Sequence, residues 1–357
     1  MTSALEEEPD IRVVGTAPNG RVALTKLSQV APDVVTLDIE MPEMDGLTTL
    51  RELRKTHPRL PVIMFSTLTQ RGASATLEAL SCGASDYVTK PANVGSVSES
   101  IASVRQQLVP KIRALVAQTQ GIPAAPARPH GASAVPLLVP AMRSPRPAMR
   151  PSTASCVDVL AIGCSTGGPE ALAKLLMGLP SHLPVPVMVV QHMPPVFTKL
   201  FAERLDRTTP LRVVEATDAL ALSAGTVYIA PGDRHLEVTG GAGAPVTRLT
   251  DAPPENFCRP AVDVLFRSVA RTYGNGVLAV VLTGMGSDGR RGCEPIKEAG
   301  AHVIVQDAET SVVWGMPGAV AGAGLADDIL PLTAIPAAIV ERVTRRTPAT
   351  PVTRRLA

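Results

Sequence analysis

Most of the chemistry this chain can do is arranged around Ser165, because the apolar run Val157-Asp-Val-Leu-Ala-Ile leads straight into Gly163-Cys-Ser165-Thr-Gly167-Gly168. Glycines on both sides of a serine permit the tight strand-to-helix turn that lifts one hydroxyl clear of a sheet, with helix N-terminal N–H groups beside it. Acyl transfer by a serine nucleophile fits that turn. A glycine-rich loop or a phosphate cradle is its other use, but no Gly-Lys-Ser/Thr follows and the glycines are not spaced as G-x-G-x-x-G. A nucleophilic serine also needs a base and an acid. His192 ends the apolar run Val185-Pro-Val-Met-Val-Val-Gln, and Asp288 lies in the glycine-rich turn after Val277-Leu-Ala-Val-Val-Leu-Thr. Ser165 is expected to attack an acyl carbon, His192 to carry the proton, and Asp288 to fix the imidazole tautomer. Backbone N–H groups around Met285 and Thr166 are the candidate oxyanion donors. Cys164, one residue before the serine, is expected to point into the sheet as a small apolar residue.

A second chemistry lies upstream. Asp38 ends the apolar run Val34-Val-Thr-Leu, Ser66 ends Pro61-Val-Ile-Met-Phe, and Lys90 follows Asp86-Tyr-Val-Thr just before Pro91. A carboxylate, a hydroxyl and an ammonium at neighbouring strand ends suit an acyl phosphate, with Ser66 and Lys90 on the added oxygens.

The elements that must position these groups alternate strand and helix in two blocks, which implies an α/β fold with two doubly wound parallel sheets. Strands are expected at Ile11–Val14, Asp33–Leu37, Pro61–Phe65 and Asp86–Thr89, followed by a long helix over 95–116. The second block places strands at Val157–Gly163, Val185–Gln191, Arg212–Glu215, Thr226–Ala230, Gly276–Thr283 and His302–Val305. It adds an antiparallel hairpin from Arg234–Val238 and Pro245–Leu249. Active groups of open α/β sheets gather at strand carboxyl ends, so Ser165, His192 and Asp288 are expected to meet.

Five segments resemble the chemotaxis protein-glutamate methylesterase (CheB) family: Ile162-Gly-Cys-Ser-Thr-Gly-Gly-Pro, Gln191-His-Met-Pro-Pro-Val-Phe-Thr, Cys258-Arg-Pro-Ala-Val-Asp-Val-Leu-Phe, Leu282-Thr-Gly-Met-Gly-Ser-Asp-Gly and Gln306-Asp-Ala-Glu-Thr-Ser-Val-Val-Trp-Gly-Met-Pro-Gly-Ala. The resemblance implies a catalytic Ser165, His192 and Asp288 and an oxyanion-hole Met285. It further implies hydrolysis of glutamyl methyl esters on methyl-accepting chemoreceptors, glutamine deamidation, and no cofactor for the esterase. The upstream block resembles a response-regulator receiver of flavodoxin-like fold. That resemblance implies phosphorylation of Asp38 by a chemotaxis histidine kinase, a signalling aromatic at Tyr87, and Mg²⁺ held partly by Asp38 and the backbone carbonyl of Glu40. A different reading is a phosphorylation-controlled binding module with an inactive esterase-like domain; retention of all three catalytic residues argues against it.

One departure stands out. A receiver opens with a strand ending in an acidic pair that binds Mg²⁺, whereas here Ile11-Arg-Val-Val already reads as the second strand and Glu6, Glu7 and Glu8 precede no strand end. The expectation is that an in-frame strand ending in two acidic residues precedes Met1; the alternative is a crippled receiver.

At 357 residues there is room for two cores. A receiver is expected over 1–116, a linker over 117–155, an esterase over 156–345 and a tail over 346–357. The linker is rich in Pro and Ala, lacks acidic and aromatic residues, and carries Arg128, Arg143, Arg146 and Arg150. A net charge of +2 with scattered basic residues argues against nucleic-acid binding. Five cysteines without C-x-x-C spacing suit a reducing cytoplasm, and the strand-length apolar runs argue against membrane insertion.

Overall fold

The computed structural model describes residues 5, 7–91, 96–119 and 156–344. Most of the expected linker and the whole expected tail fall outside these residues.

In the second block, apolar runs buried on both faces form the strands of a parallel sheet, as helical crossovers on each side require. Its strands and helices are β4 (Val159–Cys164), α5 (Gly168–Met177), β5 (Val187–Gln191), α6 (Phe197–Thr208), β6 (Arg212–Glu215), β7 (Thr226–Ile229), β8 (His235–Thr239), β9 (Val246–Thr250), α7 (Val262–Tyr273), β10 (Val277–Val281), α8 (Arg290–Glu298), β11 (His302–Gln306), α9 (Met316–Gly322), β12 (Asp328–Leu330) and α10 (Ile335–Thr344). Seven strands run in the order β12-β11-β10-β4-β5-β7-β6, all parallel, while β8 and β9 form the expected antiparallel hairpin. The first strand of this block, β4, is therefore central. The chain leaves it in one direction through β5 and returns to its other side as β10, so the strand order reverses around it, where such sheets carry their crevice. The short edge strand β12 had no sequence signal, since Asp328-Ile-Leu is only half covered.

The upstream block contains α1 (Gly20–Val30), β1 (Val35–Asp38), α2 (Gly46–Thr56), β2 (Val62–Ser66), α3 (Gln70–Ser81), β3 (Asp86–Thr89) and α4 (Val97–Thr119). Its three strands pair in parallel in the order β1-β2-β3. The strand expected at Ile11–Val14 does not form. Its side chains alternate half-buried and exposed, and Ile11 and Val13 pack on the cluster of Leu5, Phe65, Val88 and Leu108, but the segment has no ladder partner. In the doubly wound order the second strand pairs only with the first, and among the described residues no strand lies beside this segment, so its apolar alternation stays unpaired. Helix α4 continues to Thr119, one turn beyond the expected domain end at 116, and the Gln118 side chain donates to the Ala308 carbonyl of the esterase block.

The two blocks share one hydrophobic cluster, in which Leu77 and Leu80 of α3 join Phe197 and Phe201 of α6. Tyr87 of β3 stacks on Phe197 with ring centroids 5.0 Å apart. Arg204 of α6 donates to the Leu77 carbonyl at 2.8 Å and to the Ser81 hydroxyl.

Candidate active site

Three adjacent strands, β5, β4 and β10, end on the same side of the sheet, and each delivers one of the expected groups. Parallel pairing sets Cys164 opposite Gln191, so the next residues, Ser165 and His192, leave the sheet together. The His192 N–H donates to the Cys164 carbonyl at 3.1 Å, and the Ser165 N–H to the Thr283 carbonyl beyond β10 at 3.1 Å. At Gly167, φ is +75°, which lets the chain turn into α5 without the strain a side chain would bring. Gln191, which sequence reasoning passed over, braces the elbow by donating from Nε2 to the Ser165 carbonyl at 3.0 Å. Cys164 is fully buried, its Sγ lies against the Val190 carbonyl, and burial pushes its thiol well up, as expected for a residue turned into the sheet.

His192 Nε2 lies 2.8 Å from Asp288 Oδ2. The other ring nitrogen, Nδ1, faces Cys258 Sγ at 3.6 Å. Asp288 is 2% exposed and stands at the N-terminus of α7, where Oδ2 accepts the Val262 N–H at 2.7 Å and Oδ1 the Asp263 N–H at 3.0 Å. These donors and the helix dipole favour the carboxylate. Burial alone raises the Asp288 pKa, but the His192 contact and the two N–H donors outweigh it and hold the group below the usual carboxylate range. Burial likewise works to depress His192, and its hydrogen bonds to Asp288 and Cys258 overcome this and raise it above an ordinary histidine.

Gly163 ends the close packing beneath this site. A Cβ there would lie 2.4 Å from Val262 Cγ1, and Val262 carries an N–H that holds Asp288. Gly163→Ala is expected to cost about 1–3 kcal/mol of stability, the range for overpacking a core, and to lower turnover by moving Asp288. Thermal melts and steady-state rates check both; an unchanged rate with a lowered Tm would detach Val262 from the site.

Residues 160–339 match the family model described as CheB methylesterase, and residues 1–102 match the response regulator receiver domain. A protein-glutamate methylesterase/protein-glutamine glutaminase of a Nocardioides strain is 56% identical over 98% of this chain and 93% of the relative. The chain belongs to the CheB methylesterase family. A relative of the same description from Trichodesmium erythraeum is 48% identical over 96% of this chain and 95% of its own length. The crystal structure of the Thermotoga maritima CheB methylesterase catalytic domain, 44% identical, superimposes with a TM-score of 0.51 over 52% of this chain and 99% of that one.

In this CheB-family chain the receiver lies on the esterase cleft. Thr166, next to the nucleophile, donates its hydroxyl to Asp86 Oδ2 of the receiver at 2.5 Å, and Lys111 of α4 pairs with Asp86 Oδ1 at 2.8 Å. Met285, with Val312, packs against the receiver cluster of Phe65, Val88 and Leu108. Both expected oxyanion residues thus meet the receiver.

At the receiver's strand ends, Lys90 Nζ pairs with Asp38 Oδ2 at 2.7 Å, and the Glu40 N–H donates to Asp38 Oδ1 at 3.1 Å. Ser66 is at the end of the neighbouring strand, but its hydroxyl turns toward its own helix, donating to the Gly72 carbonyl and accepting from Thr76 Oγ1 at 2.6 Å. No group of three His, Cys, Asp or Glu side chains placed for a metal occurs among the described residues, and the Asp38 carboxylate is paired with Lys90.

Proposed function

We propose that this chain is a phosphorylation-regulated serine esterase that hydrolyses glutamyl γ-methyl esters on methyl-accepting chemoreceptors and deamidates glutamines at such sites. The substrate class follows the descriptions of the relatives, and the full-length match supports carrying it over. The observation that carries the chemistry is the His192–Asp288 hydrogen bond at the ends of strands flanking the one that bears Ser165.

Ser165 Oγ attacks the γ-carbonyl carbon while His192 Nδ1 takes its proton, and Asp288 steadies the imidazolium. The carbonyl oxygen becomes an oxyanion toward the N–H groups around Met285 and Thr166. The tetrahedral intermediate collapses, the C–O bond to methoxide breaks, and His192 returns the proton so that methanol leaves. Water, deprotonated by His192, then attacks the glutamyl-serine ester and frees glutamate and Ser165. With glutamine the same steps release ammonia.

The receiver regulates this site through β3. Lys90 reads the charge on Asp38, and Asp86 and Tyr87 on the same strand hold Thr166 and Phe197. Phosphoryl transfer to Asp38 from a chemotaxis histidine kinase draws Lys90 to the new oxygens and shifts the population away from the covered form. The place of action is the cytoplasm; no described helix is long and apolar enough to cross a membrane.

Release of labelled methanol from membranes bearing radiomethylated chemoreceptors tests this reading. Because His192 must be neutral to accept a proton and its pKa is raised, turnover is expected to climb as pH rises above neutrality. No methanol release, or a rate that falls over that range, contradicts it.

A further inference from the structure

Asp288 is aligned by more than a helix end. The loop between β9 and α7 brings Asn256 against it, and Asn256 Nδ2 donates to Asp288 Oδ1 at 3.0 Å and to Asp263 Oδ2 at 2.9 Å. One amide nitrogen, with its two hydrogens, therefore ties two carboxylates that are each at most 2% exposed. Asp263 is held from its other side, where Oδ1 accepts the Gly292 N–H at 2.6 Å. The backbone pays for this placement with φ of +52° at Asn256 and +62° at Phe257, a region that residues other than glycine seldom enter. The loop is fastened by the Glu255 and Cys258 backbones, which bond to each other in both directions, and by Arg267 of α7, which grips both Glu255 carboxylate oxygens.

We infer that Asn256 is a positioning residue of the esterase, acting through Asp288 on His192. Asp288 Oδ2 meets His192, so the direction of that hydrogen bond depends on how the carboxylate is rotated; its other oxygen accepts the Asp263 and Gly289 N–H groups and, as its one side-chain donor, the Asn256 amide. The amide also separates Asp288 from Asp263, whose pKa burial and the Asp288 charge both raise. Without it, two buried carboxylates face each other with no shared donor, and a proton goes to Asp263, the one already raised by burial and by the Asp288 charge. Asp288 then lacks the amide that helps set its rotation against His192. The amide bonds Asp263 and Asp288, and the charged or titratable groups around those two carboxylates are His192 on Asp288 and Arg267 of α7 and Glu255 of the same loop near Asp263, with Cys258 next to His192.

The inference rests on the serine-esterase reading, and two full-length variants test it by methanol release from radiomethylated receptor membranes. Asn256→Gly keeps the left-handed backbone and removes the amide; kcat is expected to fall roughly 10- to 100-fold, the scale for misplaced catalytic groups, with KM unchanged. Asn256→Asp has the same shape but sets a third carboxylate beside the other two. Its activity relative to the parent is expected to rise as pH is lowered from 8 to 6, because a proton shared among the carboxylates restores a donor. A parent-like kcat in folded Asn256→Gly overturns the inference, as does a constant Asn256→Asp to parent ratio across that range should the glycine variant not fold. A Ser165→Ala protein as active as the parent would instead overturn the esterase reading itself.

Discussion

Ser165→Ala is expected to abolish methanol release and Cys164→Ala to keep most of it, because the elbow presents the serine to the crevice and buries the cysteine in the sheet. His192→Ala and Asp288→Asn are each expected to lose on the order of 10³ to 10⁴ in turnover, the scale for damage to a serine triad. The Asp288→Asn loss follows from the structure in two ways. An amide at that position faces the Val262 and Asp263 N–H donors with one of its own, and it no longer stabilises a positive His192. Parent-level methanol release from Ser165→Ala, measured on radiomethylated receptor membranes, contradicts the assignment outright.

Removing the receiver has the next largest effect. A fragment beginning at Val157 keeps the seven-stranded sheet intact, and the corresponding domain of the Thermotoga maritima relative is a crystal structure on its own. Its basal activity is expected to exceed that of the unphosphorylated full chain on the order of tenfold, equivalent to about 1.4 kcal/mol of interface bias removed. Asp86→Ala in the full chain is expected to raise activity in the same direction by several-fold, since it deletes the Thr166–Asp86 hydrogen bond. Equal or lower activity in a folded fragment argues against the receiver as a cover.

The placement of Ser165, His192 and Asp288 was legible because parallel strands buried on both faces read as unbroken apolar runs, so each stood visibly beyond a strand end. The Asp38–Lys90 pair was legible for the same reason. Ser66 was placed correctly along the chain, yet its hydroxyl serves Gly72 and Thr76, a choice made by a helix end that strand patterning does not report. The alternation at Ile11–Val14 was real, but pairing is a property of two segments, and its partner lay outside what one segment can announce. Asn256 was invisible as a site residue, since it touches a group 32 positions away through a left-handed turn just before the Cys258 segment; Cys258 lay in a recognised segment, but its contact with His192, 66 positions away, was not readable from it. Asp86 read as an ordinary strand residue, because its partner Thr166 belongs to the other domain.

Labelling with a fluorophosphonate, followed by peptide mapping, tests the central claim most directly: a receiver-covered esterase whose nucleophile is Ser165. The adduct is expected on Ser165 alone, to vanish in His192→Ala, and to form faster in the fragment beginning at Val157 than in the unphosphorylated full chain. An adduct on another residue, or equal rates in the fragment and the full chain, contradicts the account.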